Sequence, residues 1–276
     1  MGNAVSFKKK GRVIIQHPTE SMVWSYSRLT SYAHCPYEFY LNYIVQDDEL
    51  YLSEGNFYAE LGSYVHEILA MILCGQLSED DAAQYFLDHY DDSVLYKTST
   101  KIMHKSIIAV TEFFADLDLS WVNQYEVLGV EMRCDFLIEN QPFVGFIDLL
   151  LRDKKDQRIV IVDHKSTEYP FRQDGKIKKK LKHSFEQYKR QMYLYAHAVW
   201  QKYGEYPKSM MWHHFKDRGQ LASIAFDASE YQQALVWAKE TIKQIHSDAQ
   251  FDACQDYFYC HNLCNFRHSC EYCDTT

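Results

Sequence analysis

Between Tyr125 and Phe226 the apolar positions gather into short runs, and on either side of that stretch they recur at helical spacing. Phe146-Ile147-Asp148-Leu149-Leu150-Leu151 and Ile159-Val160-Ile161-Val162 are nearly continuous, the pattern of strands covered on both faces. Strands are predicted over Tyr125–Ile138, Pro142–Arg152 and Arg158–His164, with two more over Ser209–Phe215 and Leu221–Phe226. Phe185, Tyr188, Met192, Tyr195 and Val199 return every three or four residues, which predicts a helix over Ser184–Tyr203 with one core-facing stripe. Helices are also expected over Ala59–Leu73, Ser78–Tyr90, Lys101–Leu117 and Glu230–His246, and around Cys35. The elements between about 76 and 120 form a helical part beside the core. The length suits a single domain over 21–276 behind a polar, flexible stretch over 1–20. No repeat and no apolar run of membrane-spanning length interrupts this plan.

Charge placed at the ends of the buried runs changes the picture. Asp148 interrupts the first run, and Asp163-His164-Lys165 closes the second. Burying two carboxylates and an ammonium is costly unless they pair or hold a metal. Asp-x-Lys by itself means little, and Asp153-Lys154-Lys155 is a second copy in a polar turn where a solvated hairpin tip is expected. The copy at 163–165 differs because a β-branched strand delivers it. Carboxylates suit hard divalent cations, which lower the pKa of bound water and screen a phosphate, while an ammonium stabilises phosphoryl charge. A structural ion pair at a sheet end is the alternative. Gln191 and Tyr195, four residues apart on the next helix, share one face.

These segments resemble a known family. Gly145-Phe146-Ile147-Asp148, Val162-Asp163-His164-Lys165-Ser166-Thr167 and Gln191-Met192-Tyr193-Leu194-Tyr195-Ala196 are similar to motifs II, III and Gln-x-x-x-Tyr of RecB-type PD-(D/E)XK nucleases. Leu61-Gly62-Ser63-Tyr64-Val65-His66-Glu67-Ile68-Leu69 resembles their motif I. The resemblance implies an α/β fold, a restriction-endonuclease-like core with a mixed central sheet flanked by helices. It implies that His66, Asp148, Asp163 and the backbone carbonyl of His164 hold Mg2+ or Mn2+. Lys165 then positions water, and Gln191 and Tyr195 orient Lys165 or grip the strand. Glu131 is a weaker candidate ligand. The implied activity is deoxyribonuclease, of exonuclease type on single-stranded ends, in recombination, repair, phage DNA processing or CRISPR adaptation, with a helicase, recombinase or integrase as partner. Asp163→Ala or Lys165→Ala is expected to abolish cutting while leaving folding nearly intact. A non-catalytic DNA-binding or assembly subunit and a zinc-binding regulatory protein are the alternatives.

Five of the eight cysteines crowd the last stretch: Cys254, Cys260, Cys264, Cys270 and Cys273. A disulfide framework is one reading, but no secretory signal is evident, so a reducing cytoplasm and metal ligation are expected. Ser27-Arg28-Leu29, followed by Cys35-Pro36-Tyr37, resembles the opening of iron–sulfur nucleases of the AddB and CRISPR-associated RecB-like type. That resemblance implies a 4Fe–4S cluster on Cys35, Cys260, Cys264 and Cys270, a clip joining the N- and C-terminal regions. The first gap, three residues where two are usual, leaves Cys254 and Cys273 as substitutes. Zinc also suits four thiolates. Cys74 and Cys134 read as ordinary buried thiols.

The net charge of -9 argues at first against a nucleic-acid partner. From Arg172 to Arg190, however, eight Lys or Arg face only Asp174 and Glu186. Screening acts over about 8 Å, so a phosphate there feels the local field. Lys176, Lys178, Lys179, Lys180 and Lys182 are expected on a flexible loop that tracks a DNA backbone; a merely solvated loop is the alternative. Met1-Gly2-Asn3-Ala4-Val5-Ser6 before Lys8-Lys9-Lys10 fits a loose myristoylation pattern, with a disordered basic N-terminus and no membrane contact as the expectation.

Overall fold

The apolar run Ile159–Val162 is wholly buried in the middle of a sheet, as its β-branched composition requires. The structure is a computed structural model that describes residues 19–45 and 55–273. The myristoylation-like segment and the Lys8–Lys10 run lie outside the described residues. Contacts divide the chain into two units, one of Met1–Glu54, Asn140–Pro142 and Val236–Thr276, the other of Gly55–Glu139 and Phe143–Leu235.

The first unit begins with α1 (Tyr26–His34) and α2 (Pro36–Tyr40). Ser25 caps α1 by accepting from the Arg28 amide. Cys35 ends α1 and caps α2, its sulfur accepting from the Glu38 amide, and Pro36 occupies the first helical position where no amide is needed.

The second unit opens with α3 (Phe57–Leu73), α4 (Ala82–Ser93) and α5 (Thr100–Ala115). Phe57, Leu61, Tyr64, Val65, Ile68 and Leu69 recur at three- and four-residue spacing and bury one face of α3 against Phe86, Val110, Phe113 and Phe114. The helices between about 76 and 120 thus share one buried cluster with α3 and with Phe215. Its middle helix starts at Ala82, four residues later than Ser78, because the Ser78 hydroxyl bonds the Asp81 carboxylate and amide in a turn.

Strands β1 (Tyr125–Ile138), β2 (Gln141–Asp153) and β3 (Ile159–Lys165) precede α6 (Lys182–Tyr203), and β4 (Ser209–His214) and β5 (Gln220–Ala225) follow it. Among the described residues they form one mixed sheet in the order β1-β2-β3-β4-β5. β3 runs antiparallel to β2, pairing Val162 with Leu149, and parallel to β4, pairing Asp163 with Trp212. The parallel step requires a crossover, and α6 supplies it. Leu149, Leu151, Val160, Val162 and Met211 cover one face of the sheet. Alternation along β3 therefore sends the Asp163 and Lys165 side chains to the opposite face, with His164 between them on the first. α7 (Ala228–Ser247) contributes residues to both units, and α8 (Tyr257–Asn262) belongs to the first.

Two expectations need correction. The lysine-rich segment is more ordered than a flexible loop: Phe171 bridges Ile177, and the Lys178 amide bonds the Pro170 carbonyl. A 3₁₀ turn over Lys179–Leu181 then leads directly into α6. Cys74 ends α3 at the surface and is exposed, whereas Cys134 is buried as expected. No helix among the described residues is long and apolar enough to cross a membrane.

Candidate active site

β2 and β3 carry the acids side by side because their antiparallel register brings the end of one strand against the other. Asp148 is 8 % exposed, and its Oδ2 accepts the His164 amide at 2.6 Å. His66, one turn beyond Gly62 on α3, points its Nδ1 at Asp148 Oδ2 (3.5 Å) and at Glu131 Oε1 (3.7 Å). Its Nε2 is 3.0 Å from the His164 carbonyl oxygen. With Nε2 donating to that carbonyl, a neutral imidazole presents a lone pair at Nδ1 to two carboxylates. His66, Glu131 and Asp148 can each offer a donor atom within 4.8 Å of the others. Three such acceptors face one another comfortably only around a proton or a cation.

Glu131 reaches this group through an unusual backbone. It lies within β1 yet has φ of +45°, a left-handed conformation that costs a non-glycine residue roughly 1–2 kcal/mol. Such strain persists where the surroundings impose it, often at functional sites. Nothing in the hydrophobic pattern of Val127-Leu128-Gly129-Val130-Glu131 announces this reversal, and so Glu131 ranks low on sequence alone.

Asp163 stands differently from the expectation. It lies outside the tight group of three and pairs with Lys165, whose Nζ is 2.7 and 3.0 Å from its carboxylate oxygens. The physical reason is the two-residue strand period, which puts the ammonium on the same face as the acid. Asp163 still acts on the group through its charge, raising the pKa of both Asp148 and His66. Lys165 Nζ also donates to Gln191 Oε1 (3.1 Å), and Gln191 Nε2 donates to the Tyr195 hydroxyl oxygen (3.0 Å). The Tyr188 ring, read in the sequence only as core, lies 4.8 Å from Lys165 Nζ in a cation–π contact. Asp163 on its own strand and Gln191 and Tyr188 on α6 thus hold the lysine on three sides.

Burial first, and the neighbouring Asp163 charge second, push Asp148 up to about 7. His66 is also raised: burial opposes its cation, but Glu131, Asp148 and Asp163 outweigh it. Burial likewise opposes the Lys165 ammonium, and Asp163 more than offsets it. The site holds more negative charge than its own cations balance, with oxygen and imidazole donors. That donor set fits a divalent cation, with the imidazole better suited to manganese than to magnesium. The His164 side chain points away, its Nδ1 3.0 Å from His213 Nδ1 in a buried pair. Burial holds His164 well below its ordinary pKa and His213 down at about 4, so both are neutral there. No sequence pattern separated His213 from an ordinary strand residue.

The lysine-rich hairpin is exposed, but Lys178 and Lys180 are partly spent on Glu168, at 4.0 and 2.7 Å. Lys176, Lys179 and Lys182 remain solvent-facing.

In the first unit, Cys35, Cys254, Cys260, Cys264, Cys270 and Cys273 line one small gap of about 10 Å3. Cys35 and Cys264 lie in a buried cluster against which Cys254 and Cys270 pack. The Cys254 amide donates to Cys35 Sγ, and the Phe266 amide to Cys264 Sγ, both at 3.4 Å. Cys260 Sγ lies 3.7 Å from Cys254 Sγ, while Cys273 Sγ turns toward the Cys260 carbonyl. Burial raises the thiols of Cys35, Cys254, Cys264 and Cys270, so each ionises only against a compensating cation.

A buried acid and imidazole group, bordered by a charge-paired lysine at the end of a mixed sheet, defines a nuclease type of centre. The chain belongs to the PD-(D/E)XK nuclease superfamily, whose profile matches residues 23–271. Among solved structures, a protein of Eubacterium rectale described as a "Putative exonuclease" aligns with TM-score 0.53 at 13% identity, over 96% of this chain and 94% of that one. At that identity the likeness concerns the fold. SSO0001 aligns over 93% of this chain and 89% of its own at 13% identity, with a TM-score of 0.36. No curated protein matches the chain.

Proposed function

We propose that this protein is a metal-dependent deoxyribonuclease acting as an exonuclease on DNA with single-stranded ends. The observation that carries it is the convergence of His66, Glu131 and Asp148 beside the Asp163–Lys165 pair. His66, Glu131 and Asp148 would hold Mg2+ or Mn2+, with Asp163 and the His164 carbonyl adjoining. When bound, such an ion screens the phosphate and makes a water more acidic. Lys165, fixed by Asp163, Gln191 and Tyr188, orients the attacking water and offsets charge growing on the phosphoryl oxygens. Lys176, Lys179 and Lys182 supply exposed positive charge for a DNA backbone. Purified protein should degrade end-labelled DNA with Mn2+, and Lys165→Ala should lose at least a hundredfold in rate. A Lys165→Ala protein as active as wild type would reject the site.

For the cysteine site the proposed occupant is a 4Fe–4S cluster, on the resemblance of its flanking segments to iron–sulfur nucleases, with zinc as the rival. Packing favours Cys35, Cys254, Cys264 and Cys270 as the ligands, with Cys254 in place of the Cys260 expected from the sequence. Anaerobically purified protein should be brown with a broad band in the visible blue. Cys254→Ser should bleach it, and Cys260→Ser should keep most of it; the reverse result restores Cys260 to the set.

A further inference from the structure

Ala59, Gly62, Ser63 and His66 follow one another at three- and four-residue spacing along one face of α3. They floor an open cavity of about 940 Å3 that also reaches Glu131, His164 and Lys165. Because the floor residues are small, the space above them is clear. A Cβ added at Gly62 meets nothing within 4 Å. The volume lies near the top of the roughly 300–1,000 Å3 usual for small-ligand pockets, with room for an unstacked nucleoside.

The chemistry of the remaining walls narrows the occupant. Tyr58 and Tyr85 present aromatic surface, and Tyr58 is 41 % exposed. Glu67 and Glu131 are the acids of the lining, while its lysine, Lys165, is already paired with Asp163. Beyond the cation site these walls repel phosphate and suit a neutral, flat, polar-edged ring. At the Tyr58 ring, Lys216 Nζ lies 5.7 Å from the centroid, a cation placed to meet a flanking phosphate.

Resting on the nuclease reading of the adjoining site, we infer that this cavity receives an unstacked nucleobase next to the scissile phosphate. The strand must therefore be unpaired where it is cut. Extracting a base from a duplex costs stacking and pairing energy that a single strand does not pay. Base stacking on an aromatic side chain is sequence-tolerant, so the selection concerns strandedness and not sequence.

The test uses full-length protein with Mn2+ and two 5′-labelled substrates, a single-stranded oligodeoxynucleotide and its blunt duplex. A third oligonucleotide carries abasic sites flanking the cut. Wild type should cut the single strand at least tenfold faster than the duplex, and the abasic substrate should be cut at least fivefold more slowly. Gly62→Leu fills the cavity from a position with free space inside a helix, so its melting temperature should equal or exceed wild type. It should lose at least tenfold in kcat/KM on the single strand, mostly through KM, and become indifferent to the abasic sites. Tyr58→Ala should lose between about 5- and 150-fold on the same substrate. Equal cutting of single strand and blunt duplex by wild type overturns the inference, as does a Gly62→Leu protein with unchanged KM. If wild type cuts nothing, the nuclease reading fails and takes this inference with it.

Discussion

The ring of Tyr195 lies so close to Gly145 that a Cβ added there would fall 2.6 Å from Tyr195 Cε1. The glycine is needed for this approach, since its own backbone is ordinary strand. Tyr195 holds Gln191, and Gln191 holds Lys165, so the contact is the far end of the support for Lys165. Gly145→Ala should therefore push the tyrosine away and loosen Lys165. Overpacking of this kind costs roughly 1–3 kcal/mol. A lower melting temperature together with an at least tenfold drop in kcat is expected, and wild-type kinetics would show that the ring has another place to go.

Asp148 gives the protein a pH dependence of known sign. Its folded pKa, pushed up to about 7, exceeds its ordinary value of 3.8, so the folded state binds the proton more tightly. Without metal, its contribution to stability is present below about pH 4 and lost as pH rises through about 7. His66, also raised, acts in the same sense. Asp148→Asn should gain stability over wild type progressively across that window in urea unfolding with a chelator present. Mn2+ should stabilise wild type more at pH 8 than at pH 5 and scarcely affect the variant. A pH-independent difference between the two proteins would contradict the burial of this charge.

The Asp163–Lys165 pair revises one expectation drawn from the sequence. Asp163→Ala leaves a buried ammonium without its partner, and breaking a buried pair typically costs about 3–5 kcal/mol. The single variant should thus be both inactive and markedly less stable. Replacing both residues with apolar ones, Asp163→Ala with Lys165→Met, should recover most of that stability and none of the activity. Urea midpoints of the four proteins in a double-mutant cycle measure the coupling; additive losses would mean that the pair is not buried together in solution.

Glu131 separates stability from function in the opposite direction. Glycine adopts the left-handed backbone at no steric cost, so Glu131→Gly should be as stable as wild type or more so. It should nevertheless bind Mn2+ at least tenfold more weakly by calorimetry. Unchanged Mn2+ affinity would remove Glu131 from the cation site.

Much of this architecture could be read along the chain. The β-branched run before Asp163, the helical stripe from Phe185 to Val199 and the motif residues around them located the sheet, its crossover helix and the acids. Periodicity reports which faces are buried, and buried faces persist whatever the detailed packing. Glu131 was legible only as a weaker candidate ligand, because a reversed φ at one residue leaves no trace in composition.

The sequence by itself determined the elements and the chemical groups they carry, through hydrophobic period and motif spacing. Only the tertiary structure decided that Asp163 serves Lys165 while Glu131 joins His66 and Asp148. That division depends on distances of a few ångströms between separate elements, and such distances are set by how whole faces pack together.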